Sequence, residues 1–296
     1  MKILIFYSGG KDSQACLIHS IQKYGVENCE AVFCDTGWEN PMTYNHIQNT
    51  TDQFGVRLVV VRSIKYKNGM LDMAKGRKRF PSTKARFCTQ ELKMMPAIDY
   101  VLSHTENLIC IEGIRKNESL SRSMMNAVCT YFRYYFEPTG IDKKGKPIFH
   151  TYRKKEVIEW CKTYNADKLR PIFDWTAEKT LTYILENGQN PNPLYYLGFK
   201  RVGCFPCIMC SHSEIKLIIN NFPERIDLLR KAEDETNSSF FKPDYIPKRF
   251  CTGVDLKGNK YPKLDDVVKY IQGDNLTIDM FQAETPSCMS VYNLCE

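Results

Sequence analysis

Over the first 112 residues, short apolar runs alternate with stretches whose apolar positions follow helical spacing. Residues 3–7, 30–34, 58–61 and 108–111 are rich in Val, Ile and Leu and are predicted to be strands. Between them, Leu17, Ile18, Ile21 and Tyr24 fall on one helical face, as do Leu92, Met95, Ile98 and Leu102. Strands and helices in alternation predict an α/β fold: a parallel sheet with helices on both faces. Residues 64–86 interrupt the pattern and are expected to form a basic loop around Lys75, Arg77, Lys78, Arg79, Lys84 and Arg86. Residues 128–152 hold five aromatic rings between 131 and 136, then Gly140 and Gly145, which predicts an inserted hairpin. Residues 153–187 return to helical spacing with a break at Pro171. After Asn190-Pro191-Asn192-Pro193 come clustered cysteines, two short helices and an irregular tail. The expected organisation is an α/β domain over 1–190 that includes the inserted hairpin, and a cysteine-rich, helical C-terminal region over 191–296.

Composition narrows this picture in three ways. The chain has 296 residues, 43% hydrophobic and 25% charged, which suits one large domain with an appendage. No apolar run approaches the ~20 residues that a membrane helix needs. The apolar N-terminus reaches glycines within a few residues and reads as a buried strand rather than an export signal, so a cytoplasmic location and no membrane partner are expected. Thirteen cysteines without an export signal point to reduced thiols, some of them metal ligands. The net charge of +7 favours an anionic ligand, whether nucleotide, sulfate or nucleic acid, without choosing among them.

Ser8-Gly9-Gly10-Lys11-Asp12-Ser13 joins a predicted strand directly to a predicted helix. Glycines let the backbone approach a ligand closely, and the unpaired N–H groups and dipole at a helix start attract phosphate oxygens. Lys11 adds a point charge, and Asp12 is a candidate Mg²⁺ ligand. The string is not a Walker A loop, which places four residues between its first glycine and the Gly-Lys pair. Asp35, in Phe33-Cys34-Asp35-Thr36-Gly37, ends the second strand, where open α/β sheets bind ligands; it is a candidate contact to a ribose hydroxyl or the adenine amine.

The six-residue loop resembles the PP-loop of ATP pyrophosphatases. Three further segments follow: Arg86-Phe87-Cys88-Thr89, then Gly113-Ile114-Arg115 with Glu118, Ser119 and Arg122, then Gly203-Cys204-Phe205-Pro206-Cys207. In this order they resemble the phosphoadenosine phosphosulfate reductase family of the PP-loop superfamily, in style the iron–sulfur, sulfur-transferring members such as the DNA phosphorothioation enzyme. The resemblance implies ATP with Mg²⁺ at Ser8, Gly9, Gly10, Lys11, Asp12 and Ser13, with Asp35, Gly113, Arg115, Glu118 and Arg122 completing the nucleotide site. Lys11, Asp12 and Arg115 are the catalytic candidates. Charge-assisted, often bidentate bonds suit Arg115 and Arg122 to phosphate or sulfate, with Glu118 orienting one of them.

Cys204, Cys207 and Cys210 form C-x-x-C-x-x-C, a density of thiols that a metal explains economically. Zinc and iron–sulfur clusters both take four ligands, and spacing does not decide between them. The resemblance favours a [4Fe–4S] cluster on Cys88, Cys204 and Cys207, with zinc as the runner-up. The fourth ligand lies open among Cys210, Cys288 and Cys295.

Three functions are compatible with these residues. The first is adenylation of a substrate with release of pyrophosphate, serving sulfur transfer. Its candidate partners are a nucleic-acid or sulfate acceptor and a sulfur-donor protein. The second is sulfonucleotide reduction with release of sulfite. Against it, the glycine loop keeps its intact Gly-Gly-Lys-Asp form and the chain ends Asn293-Leu294-Cys295-Glu296, with no glycine after the cysteine. The third is a nucleotide-binding subunit of a nucleic-acid modification or defence complex.

Overall fold

The computed structural model describes residues 1–273. The chain divides into two compact units. The first comprises Met1–Asp35, Pro41–Arg62 and Lys93–Pro193; the second comprises Thr36–Asn40, Ser63–Leu92 and the chain from Leu194 onward.

The first unit is an α/β sheet of six strands. They are β1 (Lys2–Phe6), β2 (Cys29–Cys34), β3 (Arg57–Val61), β4 (Leu108–Glu112), β5 (Val128–Thr130) and, after the hairpin of β6 (Gly140–Ile141) and β7 (Pro147–Ile148), β8 (Ala166–Leu169). Their order in the sheet is β3-β2-β1-β4-β8-β5. All neighbours run parallel except β5, which pairs antiparallel with β8 at the edge. The central pair is in register with Ile3 opposite Ile109 and Ile5 opposite Ile111. Each strand presents alternate residues to opposite faces. Leu4, Val32 and Cys110 enter one cluster with Val101 of the helix Met95–Leu102 and Val157 and Trp160 of the helix Lys154–Trp160. Burying each such aliphatic side chain contributes about 1.5–3 kcal/mol. Helix α1 (Lys11–Tyr24) lies against β1, β2 and β4 and packs on the helix Ala177–Glu186. Helix α2 (Pro41–Phe54) lies against β3.

The predicted α/β fold class and its four strands are present, with bounds shifted by a residue or so. The expected helix over 153–187 needs correction, because Ala166–Leu169 forms strand β8 in its middle. Ala-Asp-Lys-Leu carries no β-branched residue, and two of its four side chains are charged, so no strand pattern shows. The charge at Lys168 is accommodated by an ion pair to Glu112 at 2.8 Å and by the Tyr131 ring 4.7 Å below the ammonium. The inserted segment supplies the edge strand β5 as well as the β6–β7 hairpin.

The second unit contains a helix, Met70–Arg77, where a basic loop was expected. Met70, Met73 and Ala74 form its buried stripe, and the surrounding lysines and arginines conceal that short pattern. Buried Glu91 takes ion pairs from Lys65 and Arg77. The helices His212–Asn221 and Pro223–Thr236 match the two expected after the cysteines. The stretch expected to be irregular holds a short hairpin, β9 (Gly253–Val254) with β10 (Lys260–Tyr261), and an amphipathic helix, Leu264–Gln272, that buries Leu264 and Val267. Among the described residues no helix is long and apolar enough to cross a membrane.

Candidate functional site

β1 ends at Phe6 and α1 begins at Lys11, so residues 7–10 make the turn at the carboxyl edge of the sheet. Gly10 caps α1 in extended conformation with no side-chain cap. The helix therefore starts without the Ser, Thr or Asp oxygen that usually satisfies its first amides, as an anion-binding helix start requires. Gly9 adopts φ +76°, and a Cβ there would lie 2.9 Å from Ile47 Cγ1 and 3.0 Å from Thr43 Cγ2. Ser13 closes the loop from inside: its hydroxyl donates to the Gly10 carbonyl at 2.9 Å and accepts from the Ser8 N–H at 3.1 Å. The Lys11 side chain is largely buried at the first helical position.

Gly113 follows β4, the neighbour of β1. A Cβ on it would come within 2.6 Å of Ser13 N and 2.7 Å of Asp12 C, all backbone. Its lack of a side chain thus lets the β4 end close on the first turn of α1. Two residues on, Arg115 is only 3% exposed and donates from Nε to Asp12 Oδ1 at 2.7 Å. The backbone N–H of Arg115 donates to Glu118 Oε2 at 3.0 Å, and the same carboxylate oxygen accepts from Arg122.

The structure thus gathers Ser8, Gly9, Gly10, Lys11, Asp12, Ser13, Gly113 and Arg115 where β1 and β4 end. Both arginines expected to clamp phosphate or sulfate are engaged by carboxylates. Arg115 is held by Asp12, and Arg122 is held by Glu118. A Mg²⁺ ion on Asp12 would share its carboxylate with Arg115, which suits an ion that takes one or two protein carboxylates and completes its shell with phosphate oxygens and water. Asp35, at the end of β2, is buried and engaged: Tyr44 donates to it at 2.7 Å, and Arg62 pairs with it at 2.6 Å.

One residue of this region carried no signal in the sequence. Asn192, fully buried, donates from Nδ2 to the Gly9 carbonyl at 3.2 Å and to Thr43 Oγ1 at 3.3 Å. Gln14 of α1 donates to the Asn190 carbonyl at 2.9 Å, and His46 lies 3.3 Å from the Gln14 side-chain oxygen. The Asn-Pro-Asn-Pro string is thus a brace behind the glycine loop as well as a turn. Burial pulls the His46 pKa down to about 4.

The cysteines are arranged differently from the expected cluster. Cys204 makes a backbone bridge with Glu39, and its thiol lies 3.9 Å from the Glu39 carboxylate and 3.8 Å from the Thr36 hydroxyl. Glu39 is buried and accepts from the Thr36 hydroxyl at 2.6 Å. Cys207 and Cys88 are half-buried. Cys210 is buried beside Tyr245, and burial pushes its thiol pKa up. Among the described residues no three His, Cys, Asp or Glu side chains gather as metal ligands. Those residues alone therefore do not fit a four-thiolate cluster. Cys288 and Cys295 lie outside the described residues.

A glycine-built turn between a parallel strand and a helix without a side-chain cap, with a second glycine just past the end of the adjacent strand, is the arrangement of a PP-loop fold. The chain belongs to the phosphoadenosine phosphosulfate reductase domain family, whose model matches residues 2–210. An uncharacterized 37.8 kDa protein of Escherichia phage 186 is 27% identical over 83% of this chain and 80% of its own length. An uncharacterized protein of Methanocaldococcus jannaschii is 26% identical over 75% of this chain, which spans only 39% of that protein. Among solved structures, phosphoadenylyl-sulfate reductase from Candida auris in complex with phosphate matches with a TM-score of 0.44 at 15% identity, over 70% of this chain and 83% of that one.

Proposed function

We propose that this PP-loop protein binds ATP with Mg²⁺ and adenylates a substrate with release of pyrophosphate, as a step in sulfur transfer. The observation that carries this reading is the intact glycine loop, with an open helix start and a lysine at the first helical position. Three features of the chain support a β,γ-diphosphate as its occupant. Gly9 and Gly113 leave the backbone bare just past the ends of two adjacent strands, the first turn has no competing side-chain cap, and Lys11 brings a cation to it. In the reaction, an oxygen of the acceptor attacks the α-phosphorus and the bond to the bridging oxygen of the β-phosphate breaks. The products are an acceptor–adenylate and pyrophosphate. Lys11 and the loop amides stabilise charge as it develops on the leaving group. Arg115, oriented by Asp12, is the candidate for the α-phosphate side. A sulfur nucleophile then displaces AMP from the adenylate.

Sulfonucleotide reduction is the second reading, favoured by the family match itself. The iron–sulfur cluster is a separate proposal. It rests on the sequence resemblance, which implies Cys88, Cys204 and Cys207 with a fourth ligand from Cys210, Cys288 or Cys295, although the described side chains do not gather as a metal site, and no step above runs through it. Product analysis separates the two activities. The anaerobically purified protein is incubated with ATP and Mg²⁺, or with phosphoadenosine phosphosulfate and a thiol. Pyrophosphate from the first mixture supports adenylation; sulfite from the second, with no pyrophosphate from the first, rules it out.

A further inference from the structure

The inserted segment between β5 and β8 has no part in the glycine loop, yet it is built with care. Asp142 organises the β6–β7 turn: its Oδ1 accepts from the N–H groups of Lys144 at 2.7 Å and Lys146 at 2.9 Å. The Asp142 N–H donates to the Lys146 carbonyl at 2.8 Å, and the Gly145 N–H donates to the Asp142 carbonyl at 3.0 Å. The base of the hairpin is tied down by the Thr139 N–H to the Ile148 carbonyl and by the His150 N–H to the Tyr134 carbonyl. The turn is therefore fixed before anything binds to it, and it presents Lys143, Lys144 and Lys146 to solvent.

The charge around it is one-sided. Over residues 133–155 the carboxylates are Glu137, which pairs with Arg133, and Asp142, which is used inside the turn. Lys143, Lys144, Lys146 and Lys154 have no ion pair among the described residues; Lys154 instead lies 5.3 Å over the Phe149 ring. Two large rings on the same segment are partly exposed: Phe136 is 55% exposed, and Tyr134 45% with Arg133 6.0 Å over its ring and His150 6.2 Å away. A fixed turn of unpaired lysines on the same segment as partly exposed rings suits a polyanion that also offers flat faces to stack on.

We propose that this segment docks a single-stranded nucleic acid. Its phosphates are taken by Lys143, Lys144, Lys146 and Lys154, and its bases stack on Tyr134 and Phe136. As the acceptor class for the adenylating site this rests on the proposed function, but the surface itself does not. Four phosphate contacts give a salt slope near 0.7 × 4, about −3 in log K against log salt, so affinity falls roughly fiftyfold between 50 and 200 mM salt.

The test is fluorescence anisotropy of the full chain with labelled 20-nucleotide single strands, one DNA and one RNA, across that salt range. The expected result is binding with this slope, a slope lower by about 2 in a Lys143→Ala/Lys144→Ala/Lys146→Ala variant, and roughly five- to 150-fold weaker binding in Tyr134→Ala or Phe136→Ala. The DNA and RNA arms identify the sugar. Should the triple variant not fold, Lys144→Glu alone replaces it. Failure of the wild type to bind either strand overturns the proposal. So does binding unchanged in the variants, or a poly-glutamate peptide bound as tightly as the strands with the same losses, which would make the face a protein dock. Pyrophosphate release from ATP is measured alongside. A protein that binds strands and releases none leaves the docking surface standing without the adenylation reading; one that releases pyrophosphate and binds no strand does the reverse.

Discussion

Gly113→Ala isolates the closeness of β4 to the first turn of α1 without touching any charge. The added Cβ would lie 2.6 Å from Ser13 N, 2.7 Å from Asp12 C and 2.8 Å from Ser13 Cα. Ordinary contact begins near 3.4 Å, so the two backbones must separate by about 3.4 − 2.6, or 0.8 Å. No flexible side chain can yield, because all three of these neighbours are backbone atoms. Overpacking of this kind costs about 1–3 kcal/mol. At roughly 2–4 °C per kcal/mol for a chain of this size, the melting temperature should fall by about 2–12 °C. The larger effect is on the site: a displacement near 1 Å between reacting groups costs on the order of a hundredfold in rate. Gly140→Ala is the matched control, since a Cβ there has nothing within 4 Å. The assays are thermal melting with and without ATP, and turnover at saturating ATP. A Gly113→Ala protein that melts, binds and turns over like the Gly140→Ala protein would refute the proposed close approach.

Asn192→Ala removes both hydrogen bonds that brace Gly9 and should cost about 1–3 kcal/mol of stability, with weaker ATP binding by calorimetry; unchanged affinity would confine Asn192 to a turn. His46 gives a pH signature. Its folded pKa of about 4 lies below the unfolded 6.5, so the unfolded chain binds more protons between these values and stability rises with pH across that window. His46→Gln should flatten this limb by about 1–3 kcal/mol in urea titrations at pH 4.5 and 7; an equal fall in both proteins would contradict the assignment. For the proposed cluster, iron and sulfide analysis of anaerobic protein should show both lost in Cys204→Ala and kept in Cys210→Ala, whose thiol is buried beside Tyr245. A loss in Cys210→Ala would make it a ligand after all.

The parts of this protein legible in its sequence are those written locally. β1, β2 and β4 are apolar runs buried in a parallel sheet, β3 is an apolar run at its edge, and the glycine loop is six consecutive residues whose conformation follows from their own backbone freedom. β8 was not legible, because its Lys168 is tolerated by Glu112 and Tyr131, partners that sequence order does not bring near. The helix Met70–Arg77 was hidden for a related reason: its apolar stripe is three residues wide amid basic side chains. In the site, Lys11, Asp12 and Arg115 were found as separate motifs, but not that Arg115 would be spent on Asp12. Asn192 could not be found at all, lying 183 residues from the Gly9 carbonyl it holds.

The central claim is that the glycine loop holds the β and γ phosphates of ATP. Calorimetric binding of ATP and of AMP, with Mg²⁺, to the wild type and to Lys11→Ala tests it most directly. Charge-assisted hydrogen bonds contribute about 1.5–3 kcal/mol each, so the wild type should bind ATP at least a hundredfold more tightly than AMP. Lys11→Ala should lose most of that difference while leaving AMP affinity nearly unchanged. Equal affinity of the wild type for ATP and AMP, or an ATP preference that survives Lys11→Ala, would contradict it.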